Sequence, residues 1–409
     1  MSDFDATNSS FHADPYPGYA QLRSHSPVLW YPEMGFWLMT RYADVASALR
    51  DPGTFSHESF WDEPVSRHDP DDPRQAYVVQ SFSKILMYKD GETHGRMRRQ
   101  GGKSFAPRVI KDRRAGVERI CRALLENCRA KGSFDYAQDF AMILPSMVVA
   151  DYLGIPAQDR EEIRELADRF SVIFEPFLGD GERRDMLVHS AALGEYLDEI
   201  IESRRENPRD DVISILVSHG EPDGGMTAEE LRGNLMHLLV AGNETTTNLL
   251  GHAMVALSRL PDVRARVRAD AALAGPFVEE ALRFEAPIQL VGRKLTRDLE
   301  LHGQQMPAGA LIALVVASAN RDEERFDEPD TFNIDRQANQ HLSLGAGPHF
   351  CLGAPLARLE GAVAVEMLTQ DFNDLVIDDT APPPTWKDDQ LLRGYTHLHV
   401  RSDPVAAAT

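Results

Sequence analysis

Residues His341 to Pro355 read HLSLGAGPHFCLGAP, a single cysteine, Cys351, flanked by Gly345, Gly347 and Gly353. Glycine tolerates positive φ and close backbone approach, which a bulky planar ligand lying over a loop requires. From Leu352 the chain continues LGAPLARLEGAVAVEML at helical spacing, so Cys351 falls at or just before a helix start. Free N–H groups and the positive end of the helix dipole favour a thiolate there. Backbone donors to the sulfur would tune a metal that it holds. Three other readings compete. A lone loop cysteine is ordinarily a small core residue. A zinc site lacks a second Cys/His pair at ligand spacing. A dinucleotide-binding glycine run fails because Phe350 stands where its third glycine belongs.

Working outward, residues 16–56 predict a helix followed by short strands, with Pro32 and Gly35 separating the apolar pieces of a small β-hairpin. Residues 57–90 are acidic and Pro-containing, and are expected to be an irregular surface excursion. From about 92 to 285 the pattern is almost wholly helical. One helix opens on a capping box, Thr227 with Glu230, and is expected to run about thirty residues through a buried middle. After 285 come short strands, the cysteine loop, a final helix and a strand-like tail. The fold class is mainly α with a minor β portion. No linker, repeat or low-complexity tract divides the chain, so residues 1–409 are expected to form one domain, with about 1–15 and 402–409 flexible.

The net charge of −21 argues against a nucleic-acid partner and suits a small or neutral substrate. The N-terminus is polar and no long apolar run occurs, so neither a signal peptide nor a membrane anchor is expected. Three cysteines point to a reducing, cytoplasmic setting. Cys121 and Cys128, seven apart in a helical pattern, would lie about 10.5 Å from one another. That is too far to bridge, and both read as core residues.

The cysteine loop resembles the haem loop of the cytochrome P-450 superfamily, Phe-Gly-x-Gly-x-His-x-Cys-x-Gly. Gly345, Gly347, His349, Cys351 and Gly353 match, and Leu344 replaces the usual Phe, a change that bears on redox tuning rather than on ligation. Three further motifs follow in family order across residues from about 90 to 400. The first is AGNETT, from Ala241 to Thr246. The resemblance implies that small residues at 241 and 242 leave room at the haem face, that Thr245 hydrogen-bonds the bound dioxygen, and that Glu244 feeds protons toward it. A threonine can also merely bond back along its helix, but a carboxylate in an apolar helix needs a reason. The second is Glu280-Ala-Leu-Arg283 with Arg336, which resembles a buried structural Glu–Arg–Arg cluster. The third is His94 and Arg98 with Arg293 and His349, which by resemblance hold the haem propionates through charge-assisted pairing.

The resemblance implies haem b held by Cys351 and a soluble, bacterial-type monooxygenase. It would put one atom of O2 into a small organic molecule by hydroxylation, epoxidation or dealkylation. Its electrons would come from a ferredoxin and its reductase. A peroxide-using relative is the alternative, which the intact Glu244–Thr245 pair disfavours. A non-catalytic haem sensor has no use for a proton relay. By alignment to the family, residues 57–88, His237, Val240, Ala241, 288–291 including Gln289 and Val291, and Leu391–Leu392 are expected to shape the pocket. His237 and Gln289 would offer polar groups to a substrate. Between His94 and Arg114 lie eight basic residues (Arg96, Arg98, Arg99, Lys103, Arg108, Lys111, Arg113, Arg114) and one acid, Asp112, a local charge of +7. Such a field would steer an acidic ferredoxin to that face, near Arg99, Lys103 and Arg108.

Overall fold

Helical spacing over most of the chain becomes helix in the structure, a computed structural model that is 58% helical with a minor strand portion. It describes residues 11, 13–58, 60, 68–171, 179–218, 225–389 and 391–404. The chain divides into two compact units. The first holds Met1–Phe55, Arg114–Pro145 and Thr245–Thr409, and the second Ser56–Arg113 and Ser146–Glu244.

In the first unit the expected hairpin forms from strands Val28–Tyr31 and Phe36–Met39. Gly35, at φ +69°, makes the turn. Strand Leu311–Leu314 runs parallel to Phe36–Met39 and antiparallel to Val291–Leu295. One apolar cluster joins this sheet to helix Tyr42–Arg50 and to the cysteine loop: Met39, Val45, Leu49, Ile312 and Leu314 pack with Leu342 and Ala346. Burying these side chains therefore fixes the front of the loop to the sheet. Behind it, helix Ala354–Asp371 packs on helices Ala274–Phe284 and Arg114–Lys131. Cys121 and Cys128 lie on helix Arg114–Lys131, fully buried, and burial pushes both thiols up to about 12, so they are inert at neutral pH. The tail is more ordered than the sequence suggests. Strand His399–Pro404 pairs with Phe372–Ile377, so 402–404 belong to a sheet, because register continues past Arg401. The expectations for residues 1–10, 12 and 405–409 lie outside the described residues.

The second unit is helical, with Pro73–Phe82, Gly91–Ser104, Arg160–Ser171, Asp180–Glu206, Val212–Val217 and Ala228–Ala241. Residues 57–90 are not simply irregular. Asp72 caps helix Pro73–Phe82 by accepting from the Arg74 N–H (2.9 Å), and Val78, Phe82, Leu86 and Tyr88 are buried. The helix hid in the sequence because its inward face mixes Val78 and Phe82 with Gln75 and Ser81. Residues 61–67 of that stretch lie outside the described set.

The Thr227–Glu230 capping box closes both ways, Thr227 Oγ1 accepting at 3.2 Å and Glu230 at 2.9 Å. The helix it opens is shorter than expected. It ends at Ala241 and a new helix, Glu244–Arg259, begins after a two-residue turn. The Gly242 N–H reaches Leu238 O at only 3.4 Å, and Asn243 bonds to Val240 O, one residue tighter than α geometry. A Cβ at Gly242 would stand 2.8 Å from Val149 Cγ2, so a larger residue in the turn would force Val149 to shift. Among the described residues no helix is long and apolar enough to cross a membrane.

Candidate active site

The cysteine loop is built by backbone bonds that glycine makes reachable. Gly345 (φ +74°) donates to Leu342 O at 2.8 Å, and Gly347 (φ +68°) opens a single 3-10 turn ending at His349. A Cβ at Gly347 would sit 2.8 Å from both Arg50 Cα and Leu49 O, so the loop there lies directly on helix Tyr42–Arg50. The turn is closed by the Cys351 N–H donating to Leu344 O at 2.8 Å. Leu344 thus contributes a carbonyl, which does not depend on the side chain replaced. Asn320, buried, latches the front of the loop: its Oδ1 accepts from the Leu342 N–H (2.7 Å) and its Nδ2 donates to Ser343 Oγ. No sequence spacing marked Asn320; the one signal is an amide closing the apolar run ALIALVVASAN.

Cys351 itself is exposed, just ahead of helix Ala354–Asp371. Ala354 and Leu356 begin the helical ladder by donating to Cys351 O and Gly353 O. Gly353 departs from the expectation of positive φ, lying at −80°, yet a Cβ there would meet nothing within 4 Å. An exposed sulfur beside an open backbone face suits a flat ligand laid across the loop. Among the described residues no group of three or more His, Cys, Asp or Glu side chains could hold a metal ion. The donor set is one soft thiolate, which fits haem iron and does not make a zinc site. Arg358, on the next turns, is near enough to Cys351 for their charges to interact, and it is fixed by two bonds to Glu279 (2.6 and 2.9 Å). Burial raises the Glu279 carboxyl, but His341 and Arg358 outweigh it and hold it at about 2. Glu360, two residues further on, is buried, and burial raises its carboxyl well above the usual range. Sequence reasoning passed over both glutamates.

The Glu–Arg–Arg motif forms a buried cluster. Arg283 gives two 2.8 Å bonds to Glu280, both side chains being fully buried, and Arg336 Nε lies 3.4 Å from the same carboxylate. Arg283 also donates to the carbonyls of Asn320, Pro329 and Thr331, and Glu280 accepts from the Asn333 N–H. The cluster therefore pins the segment leading into the cysteine loop. Breaking such a pair typically costs about 3–5 kcal/mol.

The other expected site residues divide between the units. The first unit holds His349, Arg293, Gln289, Val291, Leu392 and Thr245. Arg293 is buried on its strand, where it donates to Gly292 O. Gln289, through its side-chain amide, accepts from Tyr19 OH (3.3 Å) and donates to Ala286 O (2.7 Å). Its backbone donates to Leu391 O, and Ile288 bridges Leu392, which brings the two pocket segments together. The second unit holds His94, Arg98, His237, Val240, Ala241 and Glu244. His94 is buried on helix Gly91–Ser104, whose start is tied down by Asp90 accepting from Ser56 Oγ and from the His57 and Glu58 N–H groups. Burial holds His237 down at about 4, so its imidazole is neutral at pH 7, one nitrogen a donor and the other an acceptor.

The basic segment is less free than its composition implied. Arg96 pairs with Glu230, Arg113 with Asp210, and Arg114 with Glu118 and Glu366. Arg99, Lys103, Arg108 and Lys111 remain exposed.

Residues 62–398 match the family model described as Cytochrome P450. Vitamin D(3) 25-hydroxylase of Pseudonocardia autotrophica is 33% identical over 98% of this chain and 97% of its own. The solved structure of cytochrome P450 CYP109Q5 from Chondromyces apiculatus superposes with a TM-score of 0.87 at 32% identity, covering 99% of each chain. CYP109E1 from Bacillus megaterium, solved in complex with testosterone, gives 0.83 at 29% identity over 95% of this chain and 99% of that one.

Proposed function

Because the chain belongs to the cytochrome P450 family and is a haem-thiolate monooxygenase, we propose that Cys351 is the iron's protein ligand and haem b the cofactor. The observation that carries this is the Cys351 loop itself: two positive-φ glycines and a Cys351–Leu344 backbone bond present an exposed sulfur ahead of a helix. In this reading His94, Arg98, Arg293 and His349 pair with the propionates, and Gly345, Gly347, Gly353 and Ala241 admit the ring. The haem, when bound, supplies dioxygen activation and transfer of one oxygen atom to the substrate.

The protein's own part is position and protons. Thr245 offers a hydroxyl at the oxygen site, and Glu244, first residue of its helix, passes protons in from the solvent side. In this reading Val291 and Leu392 offer apolar surface to the substrate, as does Val240, and neutral His237 offers a hydrogen bond to a substrate's polar group. The substrate is then a largely apolar small molecule with at least one such group, which hydroxylation, epoxidation or dealkylation would modify. Two relatives carry steroid-type names or ligands, so vitamin D and steroid alcohols head the panel to be screened by the substrate-induced shift of the Soret band. Electrons come from an acidic ferredoxin docking near Arg99, Lys103 and Arg108, in the cytoplasm. The test of the reaction class is turnover of a spin-shifting compound under isotopically labelled dioxygen with ferredoxin, its reductase and NAD(P)H. Label in the product supports the reading. Turnover that runs on hydrogen peroxide but never on this donor chain would replace it with the peroxide-using alternative.

A further inference from the structure

Helix Glu244–Arg259 carries Thr245, Asn248 and His252, spaced three and then four residues apart, along one stripe. Asn248 is 1% exposed and His252 4%. Among the described residues neither the oxygen nor the nitrogen of the Asn248 amide has a hydrogen-bond partner, and neither ring nitrogen of His252 has one. Four orphaned polar atoms on consecutive turns of one buried stripe are far outside what a protein core tolerates. Ordered water is the ordinary remedy for such groups.

The surroundings are polar and lead outward. Asn248 is seated against the backbone of Gly394, where a Cβ would stand 1.9 Å from its Oδ1. His252 lies between Trp386 (6.3 Å) and Tyr395 (6.0 Å), with the Glu285 carbonyl near its ring but not closing a hydrogen bond. Glu285 accepts from Arg393 Nε (2.5 Å) and Tyr16 OH (2.9 Å), and Arg321 lies 3.8 Å away. Burial raises the Glu285 carboxyl, but its charged partners, Arg393 foremost, outweigh it and hold it below the usual range. Arg393 stacks on Trp386 (3.7 Å), and both line an open cleft with Tyr19, Gln289, Lys387 and Asp389. A polar series thus runs from the cleft through Arg393 and Glu285 to His252, Asn248 and Thr245, all within the first unit.

We propose that Asn248 and His252 hold a file of ordered waters that brings protons from this cleft to the Thr245 hydroxyl, a route that bypasses Glu244. The proposal rests on the reading of Thr245 given above. Each water accepts a proton from its neighbour and releases one to the next, so the net event moves one proton from solvent to the Thr245 end and consumes nothing. Asn248 and His252 are positioning residues. Burial holds His252 at about 4, so at neutral pH the ring neither traps the travelling proton nor repels it. Glu285, Arg393, Arg321 and Tyr16 set the field at the outer end.

The experiment has a structural and a kinetic arm. A high-resolution crystal structure of the holoenzyme should contain waters within hydrogen-bond distance of Asn248 and both His252 nitrogens. A dry stripe, with the side chains repacked onto protein partners, would overturn the proposal. In the kinetic arm, Asn248→Leu and His252→Leu are each added to Glu244→Gln. Each should lower the residual turnover by roughly a further tenfold and enlarge its solvent isotope effect, while His252→Gln restores part of it. Waters present but additive losses absent in both variants would also overturn it. Thr245→Ala separates the two readings: normal coupling in that variant means the Thr245 assignment has failed, whereas uncoupling there with silent Asn248 and His252 variants removes the water file alone.

Discussion

Glu244 and Thr245 adjoin in sequence but are expected to fail differently when changed. Thr245→Ala should keep haem and substrate affinity while diverting electrons to hydrogen peroxide, because its hydroxyl acts during the reaction rather than in binding. Glu244→Gln should slow turnover with coupling largely kept, since it removes a proton donor. Measuring NAD(P)H consumed, product formed and peroxide released decides this; full coupling in Thr245→Ala would refute the assignment. At this scale the sequence spoke clearly where chemistry demands a residue type, as with Cys351 and its glycines. It was silent on Asn320, Glu279 and Glu360, whose importance comes from partners more than twenty residues away or from burial. It could not show that the Gln289 amide meets Tyr19 and Ala286, because a position in the sequence does not say what its side chain meets.

Elements carry the loop's stability. Arg358 on helix Ala354–Asp371 is tied to Glu279 on helix Ala274–Phe284, and Glu279 is held at about 2 instead of its ordinary 4.5. A carboxyl with a depressed folded pKa adds stability that is fully present above pH 4.5 and is lost as pH falls toward 2. Allowing for its partial exposure, the contribution is about 2 kcal/mol. Glu279→Gln should therefore be less stable than wild type at pH 7 by about that amount, with the gap closing as the solution is acidified below pH 4.5. Denaturant unfolding at several pH values reads it; a gap that persists unchanged to pH 3 would exclude the ion pair as its source. Element positions were largely legible from spacing, caps and turn glycines. The break at Gly242–Asn243 was not, because apolar periodicity runs straight through it and only the approach to Val149 reveals why glycine is there.

At the scale of the whole molecule, an acidic chain of net charge −21 keeps Arg99, Lys103, Arg108 and Lys111 exposed on one segment. Steering of an acidic ferredoxin to that segment should make the first electron-transfer rate fall as salt rises. Charge reversal at Arg99, Lys103 or Arg108 should slow it without altering substrate affinity; a flat salt response with wild-type rates would place docking elsewhere. The composition overstated this field, since Arg96, Arg113 and Arg114 are committed to carboxylates that only the fold brings near. The central claim is that the Cys351 thiolate holds the haem iron, and the most direct measurement is the absorption of the reduced protein under carbon monoxide. Wild type should show the red-shifted Soret band that a thiolate ligand produces, and Cys351→Ala should lose it. Persistence of that band in Cys351→Ala would contradict the assignment.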